Sequence, residues 1–162
     1  MKYCNICLEN NLRPNVIFNK GLCPSFYYIK RNENEIFWNK RLELLKEITQ
    51  KYKNPNNKFD CIIGVSGGKD SIRQALWVRD KLKMNPLLVS LCYPPQQVTD
   101  IGTENISNLI NLGFDVIVSS LAPKTWKNLM RESFLKFANW AKSTELALFS
   151  SVPQAAIRFN IP

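Results

Sequence analysis

No histidine occurs anywhere in the 162 residues. Every metal site that depends on an imidazole ligand is thereby excluded, so any metal must be held by sulfur, carboxylate or water. No apolar run approaches the length needed to cross a bilayer, and the N-terminus MKYCNICLEN lacks the apolar stretch of an export signal. The sequence reads as a cytoplasmic chain with no membrane span. Acid is scarce, with 13 Asp and Glu against 22 Lys and Arg for a formal charge of +9. The excess favours anionic partners, but the lysines are scattered among asparagines and isoleucines without a basic tract, as on an ordinary solvated surface. Internal repeats and low-complexity segments are absent. What is present is globular composition, 45% hydrophobic and 11% aromatic, enough for one ordinary domain with a small appendage.

Cysteine is the first positive signal. There are five, an odd number, and three of them fall in the first 23 residues of a chain without an export signal. Metal binding fits that usage better than disulfides. Cys4 and Cys7 form a CxxC pair, and fifteen intervening residues lead to Cys23. A second CxxC would place a fourth thiol at position 26, which is Phe26. The fourth ligand is then a carboxylate, a water, Cys61 or Cys92, or is absent; a reduced, metal-free segment is the alternative. Residues 1–30 have no lasting periodicity and contain Pro14, Gly21 and Pro24, so a zinc-ribbon-like segment stapled by Cys4, Cys7 and Cys23 is expected there.

Residues 31–58 change pattern. From Glu33 to Lys53, Trp38, Leu42, Leu45, Ile48 and Tyr52 recur at steps of three and four, which predicts a long amphipathic helix. KNPNNK, residues 53–58, ends it and marks the best boundary. Beyond it, CIIGV, LLVSLCY (87–93) and DVIVSS (115–120) are apolar runs of the kind found in strands covered on both faces. Helical patterns lie between them at 71–83 and 101–112, the second closed by Gly113. Pro123 opens another helix whose stripe of Trp126, Met130, Phe134, Phe137 and Ala141 reads as core. The alternation predicts a doubly wound parallel α/β sheet over 59–162.

The turn after the first strand, VSGGKDS, carries the chemistry. In such a sheet the first strand-to-helix turn is the usual anion cradle. Gly67 and Gly68 permit close backbone approach, the following helix adds its positive end, and Ser66, Lys69 and Ser71 add donors and charge. Local capping by Asp70 or Ser71 is the competing explanation for any single residue. The Walker spacing fails, because only three residues separate Gly64 from Gly68 and Asp70 follows Lys69. The dinucleotide fingerprint fails as well.

SGGKDS resembles the pyrophosphate loop of the ATP pyrophosphatase (PP-loop) superfamily, SGG-x-DS between first strand and first helix. The N-terminal C-x-x-C … P … F … G-x-C segment, then FDCIIGVSGGKDS, NPLLVSL and IGTENISNLINLGFDVI, is similar to the N-acetyl sugar amidotransferases of bacterial lipopolysaccharide, other surface polysaccharide and flagellar glycan synthesis. The resemblance implies an adenine nucleotide alpha hydrolase-like fold. It also implies ATP bound by Ser66, Gly67, Gly68, Lys69, Asp70 and Ser71 with Mg²⁺, and zinc on Cys4, Cys7 and Cys23. The implied chemistry adenylates an acetamido group and converts it to an acetamidino group. The substrate would be a nucleotide-activated N-acetyl sugar, and a glutaminase subunit would supply the ammonia. Nucleic acid is not expected as a partner, and catalytic residues proper are unknown. Tyr93, Pro94 and Pro95 lie where relatives receive adenine, although a simple turn is the plainer role. Phe26 departs from the family pattern. The chain also stops at AAIRFNIP where relatives run on for about as many residues again. The expectation is an N-terminal portion whose last helix lacks a sheet partner and in which a central strand becomes an exposed edge. A tRNA-thiolating PP-loop ligase and a non-catalytic binding module are the competing readings.

Overall fold

The three apolar runs become three short strands, β1 (Cys61–Gly64), β2 (Pro86–Cys92) and β3 (Val116–Ser120). All are parallel, in the order β1-β2-β3, with Ile63 opposite Leu88 and Leu88 opposite Val116. This is a computed structural model describing residues 1–32, 37–53 and 55–162. They form two compact units, Met1–Leu45 and Lys46–Pro162.

In the second unit the central strand β2 is buried from Pro86 through Ser90, as its nearly unbroken apolar sequence demands. Side chains alternate across the sheet. Ile63, Val65 and Leu88 face Ala75 of α3 (Lys69–Asp80) and Leu109 of α4 (Asp100–Asn111), with Phe114 closing the core. Leu88 and Leu109 are fully buried, each contributing about 1.5–3 kcal/mol of transfer free energy. Thr99 caps α4 by accepting a hydrogen bond from the Gly102 N–H at 3.1 Å, and Gly113 takes the left-handed turn at φ 87° after its end. At the start of the sheet buried Asp60 clamps β1 to β2. Its carboxylate accepts from the Asn85 N–H at 2.7 Å, while its own N–H donates to the Asn85 carbonyl at 2.9 Å.

After β3 come α5 (Pro123–Phe137) and α6 (Lys142–Phe159). A single stripe running to Ala141 is thus corrected to two helices. Ala138 adopts φ 51°, and polar bonds fix the corner: the Ser133 hydroxyl donates to the Asn139 carbonyl at 2.6 Å and accepts from the Ser143 N–H at 3.2 Å. The stripe is core only in part, since Trp126 is buried whereas Phe134 and Phe137 are 57% and 53% exposed. The last helix, α6, was not foreseen, and it has a sheet partner. It crosses the second face over β1 and β2, close enough that a Cβ at Gly64 would meet Val152 Cγ2 at 2.8 Å. β1 is at an edge of the sheet, and the Ile62 N–H donates to the Pro162 carbonyl at 3.2 Å.

The first unit is built from turns, one whole helix and the start of a second, whose residues from Lys46 on belong to the second unit. Tyr3 bridges Asn10 and Asn19 bridges Leu22, both antiparallel; Lys20 and Gly21, at φ 49° and 78°, make the tight turn in the second. Helix α1 (Pro24–Asn32), which the sequence did not signal, follows directly. Helix α2 (Trp38–Tyr52) matches the amphipathic pattern; its expected first turn at 33–36, like Asn54 in the boundary segment, lies outside the described residues. Its stripe of Trp38, Leu42, Leu45, Ile48 and Tyr52 is exposed throughout.

Candidate functional site

Val65 continues β1 by donating its N–H to the Val89 carbonyl at 2.9 Å, and the chain then leaves the sheet at Ser66. Gly67 is buried at φ 74°, and a Cβ there would lie 2.6 Å from Asn105 Cβ and 2.7 Å from the Asn105 carbonyl oxygen. Only glycine fits, because α4 presses its backbone against the bend. Gly68 is the N-cap residue of α3 and supplies no side-chain cap, unlike Thr99 on α4. Ser71 does not cap the helix either, since its hydroxyl donates back to the Gly68 carbonyl at 2.9 Å. Lys69 and Asp70 are exposed in the first turn, and Ser66 is exposed beside it. The six loop residues of the sequence motif therefore lie together at the carboxyl end of β1, where the amino end of a twelve-residue helix has no side-chain cap from its N-cap residue and only a long contact of 3.5 Å from the Gly68 N–H to the Ser66 hydroxyl.

Past the end of β2, Pro95–Gln97 forms the expected turn. The Tyr93 ring meets buried Trp126 edge-on, with centroids 5.1 Å apart at 76°. Met130, Gln97 and Trp140 line the cleft beside them. The Trp126 indole N–H is buried without a hydrogen-bond partner among the described residues. A second cleft, about 690 Å³, runs between the β2–β3 face (Val89, Leu91, Ile117) and Leu146 and Phe159 of α6. The sequence could not foresee it, because α6 itself was not foreseen.

In the first unit the predicted cysteines converge. The sulfurs of Cys4, Cys7 and Cys23 all lie within 4.8 Å of one another, and Cys7 and Cys23 are 3.8 Å apart. None forms a disulfide. The antiparallel turns aim backbone donors at them, as the Cys23 N–H donates to Cys4 Sγ at 3.3 Å. Burial pushes the Cys4 thiol up, but the N–H groups of Cys23, Ile6 and Cys7 outweigh it and hold the thiol at about 6. The Glu9 N–H favours the Cys7 thiolate, yet burial and the adjoining Cys4 and Cys23 sulfurs push that thiol up. The cluster could hold a metal ion. Cys61 is a different case. Burial and the Asp60 charge push it up to about 11, the behaviour of an inert structural thiol within β1.

The chain is thus a mixed α/β protein with a small parallel sheet, a glycine loop at the end of its first strand, and a three-cysteine cluster. No family model matches it. An uncharacterized protein of Methanocaldococcus jannaschii is 29% identical over 98 residues, which is 53% of this chain and 31% of the relative's length.

Proposed function

We propose that the chain is the nucleotide-handling part of an ATP-dependent N-acetyl sugar amidotransferase of the PP-loop type. The observation that carries this reading is the loop Ser66–Ser71 gathered at the carboxyl end of β1, where Gly68 opens the twelve-residue helix α3 without a side-chain cap of its own. Its donors suit a pyrophosphate leaving group. The amides of the first turn of α3 and the hydroxyls of Ser66 and Ser71 would bind the β- and γ-phosphates, with Lys69 neutralising charge as it grows on them. Asp70 would repel the triphosphate directly, so its place is to orient the loop or to meet Mg²⁺, which shares the phosphate charge. ATP supplies an activated α-phosphorus for the acetamido oxygen; ammonia from a glutaminase subunit then displaces AMP.

Zinc is the metal this reading places on Cys4, Cys7 and Cys23. A tetrahedral site with Zn–S bonds of about 2.3 Å has sulfur–sulfur edges of roughly 3.8 Å. The Cys7–Cys23 separation of 3.8 Å suits it. The metal would staple a segment that has little core of its own.

Titration calorimetry of the chain with magnesium ATP and with magnesium pyrophosphate tests the reading. Both are expected to bind, and Lys69→Ala to weaken both without altering the fold. A folded chain that takes up neither would end it.

A further inference from the structure

We propose that the metal on Cys4, Cys7 and Cys23 keeps one coordination position for an exchangeable ligand from solution, a small thiolate above all, in place of a fourth side chain. The inference rests on the metal reading of this cluster. Three sulfurs supply three corners of a tetrahedron. The two-knuckle pattern would draw the fourth from position 26, where the chain has Phe26 in the first turn of α1. That ring packs against Cys4, Leu22 and Cys23 and offers no donor. Cys23 itself stands just before Pro24, and its carbonyl accepts the Tyr27 N–H at 2.9 Å, so the α1 backbone is committed to the helix.

Among the described residues of this unit other donors are few. The metal-capable group among the described residues comprises the three cysteines alone. Glu9 has a carboxylate close in sequence, but it pairs with Arg13 at 3.3 Å. Its N–H, not its carboxylate, is what faces Cys7. The chain has no histidine to substitute.

An open corner bordered by an aromatic ring has a definite preference. Three thiolates already overcompensate a divalent ion, so hard anions gain little there, while a soft sulfur donor matches both the metal and the apolar wall. On binding, the incoming thiol gives its proton to solvent and displaces a bound water; nothing is oxidised or reduced. Closed structural sites have four protein ligands, whereas sites that keep three with one open position are those that bind a guest.

The test uses the full chain loaded with cobalt(II), whose ligand-field bands report the donor set, titrated with 2-mercaptoethanol. A saturable change in band positions and intensity is expected, together with X-ray absorption of the zinc form in thiol-free buffer showing three sulfurs and one lighter atom. Phe26→Cys is expected to abolish the response and to tighten zinc by more than the roughly 10- to 100-fold that a ligand's hydrogen-bonding partner is worth. Bands that stay fixed on thiol addition, with four heavy or light protein ligands present from the start, would overturn the proposal while leaving the metal site standing. Failure to take up cobalt or zinc at all would remove the metal reading and the proposal with it. The wild-type titration decides the matter even where Phe26→Cys fails to fold.

Discussion

The two loop glycines make different demands, and replacing each with alanine separates the fold from the ligand. At Gly67 the backbone sits at φ 74°, and the new Cβ would lie 2.6–2.8 Å from Cβ, O and C of Asn105. The left-handed conformation costs alanine about 1–2 kcal/mol. The overlap is with α4 backbone, which cannot swing aside, and overpacking of this kind adds roughly 1–3 kcal/mol. Gly67→Ala should therefore destabilise the second unit by about 2–5 kcal/mol in all, lowering Tm by roughly 4–20 °C for a chain of this size. At Gly68 the backbone is at φ −75° and ψ 166°, which alanine adopts freely, and the nearest atom to its Cβ is Ser66 Oγ at 3.5 Å. Stability should hold within about 1 kcal/mol, the stiffer unfolded chain offsetting the N-cap preference for glycine over alanine.

The nucleotide should see the reverse order. A methyl at Gly68 stands where a phosphate would approach the amides of α3, and the loss of one hydrogen bond to a charged group is worth about 1.5–3 kcal/mol. Gly68→Ala should weaken magnesium ATP roughly 10- to 150-fold. Far-ultraviolet circular dichroism melts and urea titrations read the stabilities, and calorimetry reads the affinity. A Gly67→Ala protein as stable as wild type would refute the wedge against Asn105; a Gly68→Ala protein with undiminished affinity would refute the phosphate seat.

Three further outcomes follow from the packing. Gly64→Ala should cost about 1–3 kcal/mol because its Cβ meets Val152 at 2.8 Å, and Val152→Ala should recover much of that in a double-mutant cycle measured by urea unfolding. Asp60→Ala should cost about 1–3 kcal/mol by leaving the Asn85 N–H without its acceptor, with loss of hydrogen-exchange protection at Asn85 as the local signature. In the metal-free chain Cys4 is held from the ordinary 9.0 down to about 6, so its thiolate stabilises the N-terminal unit fully above the ordinary value and loses that effect as pH falls through about 6. Thiolate absorbance should show that ionisation, and Cys4→Ser should delete it.

How legible all this was in the sequence depended on whether a feature was local or tertiary. Unbroken apolar runs announced the three strands, since a strand buried on both faces needs only its own side chains to declare itself. The loop and the cysteines were legible for the same reason, because their residues are close in the chain and the turns that gather them are short. The single helix read through Ala141 failed because the break is made by Ser133, Asn139 and Ser143 bonding to one another around a corner, and serines carry no periodicity. Helix α1 was missed because Pro14 and Gly21 before it, and Pro24 at its start, hid a run of only nine residues.

The same distinction bears on function. The sequence motif treats Gly67 and Gly68 alike, yet the requirement at Gly67 comes from Asn105 on α4, a residue the motif does not contain. Gly67 is therefore demanded by packing whether or not a nucleotide ever binds, and its presence weighs little between an enzyme and an inert remnant of one. Gly68 is the informative residue. Its neighbours leave room for a side chain, so packing does not demand glycine there, although glycine is also one of the residues a helix N-cap favours. On the proposed nucleotide reading, a glycine that packing does not need, at the start of α3, also lets a phosphate come close to the backbone, and the Gly68→Ala affinity separates that role from the N-cap preference.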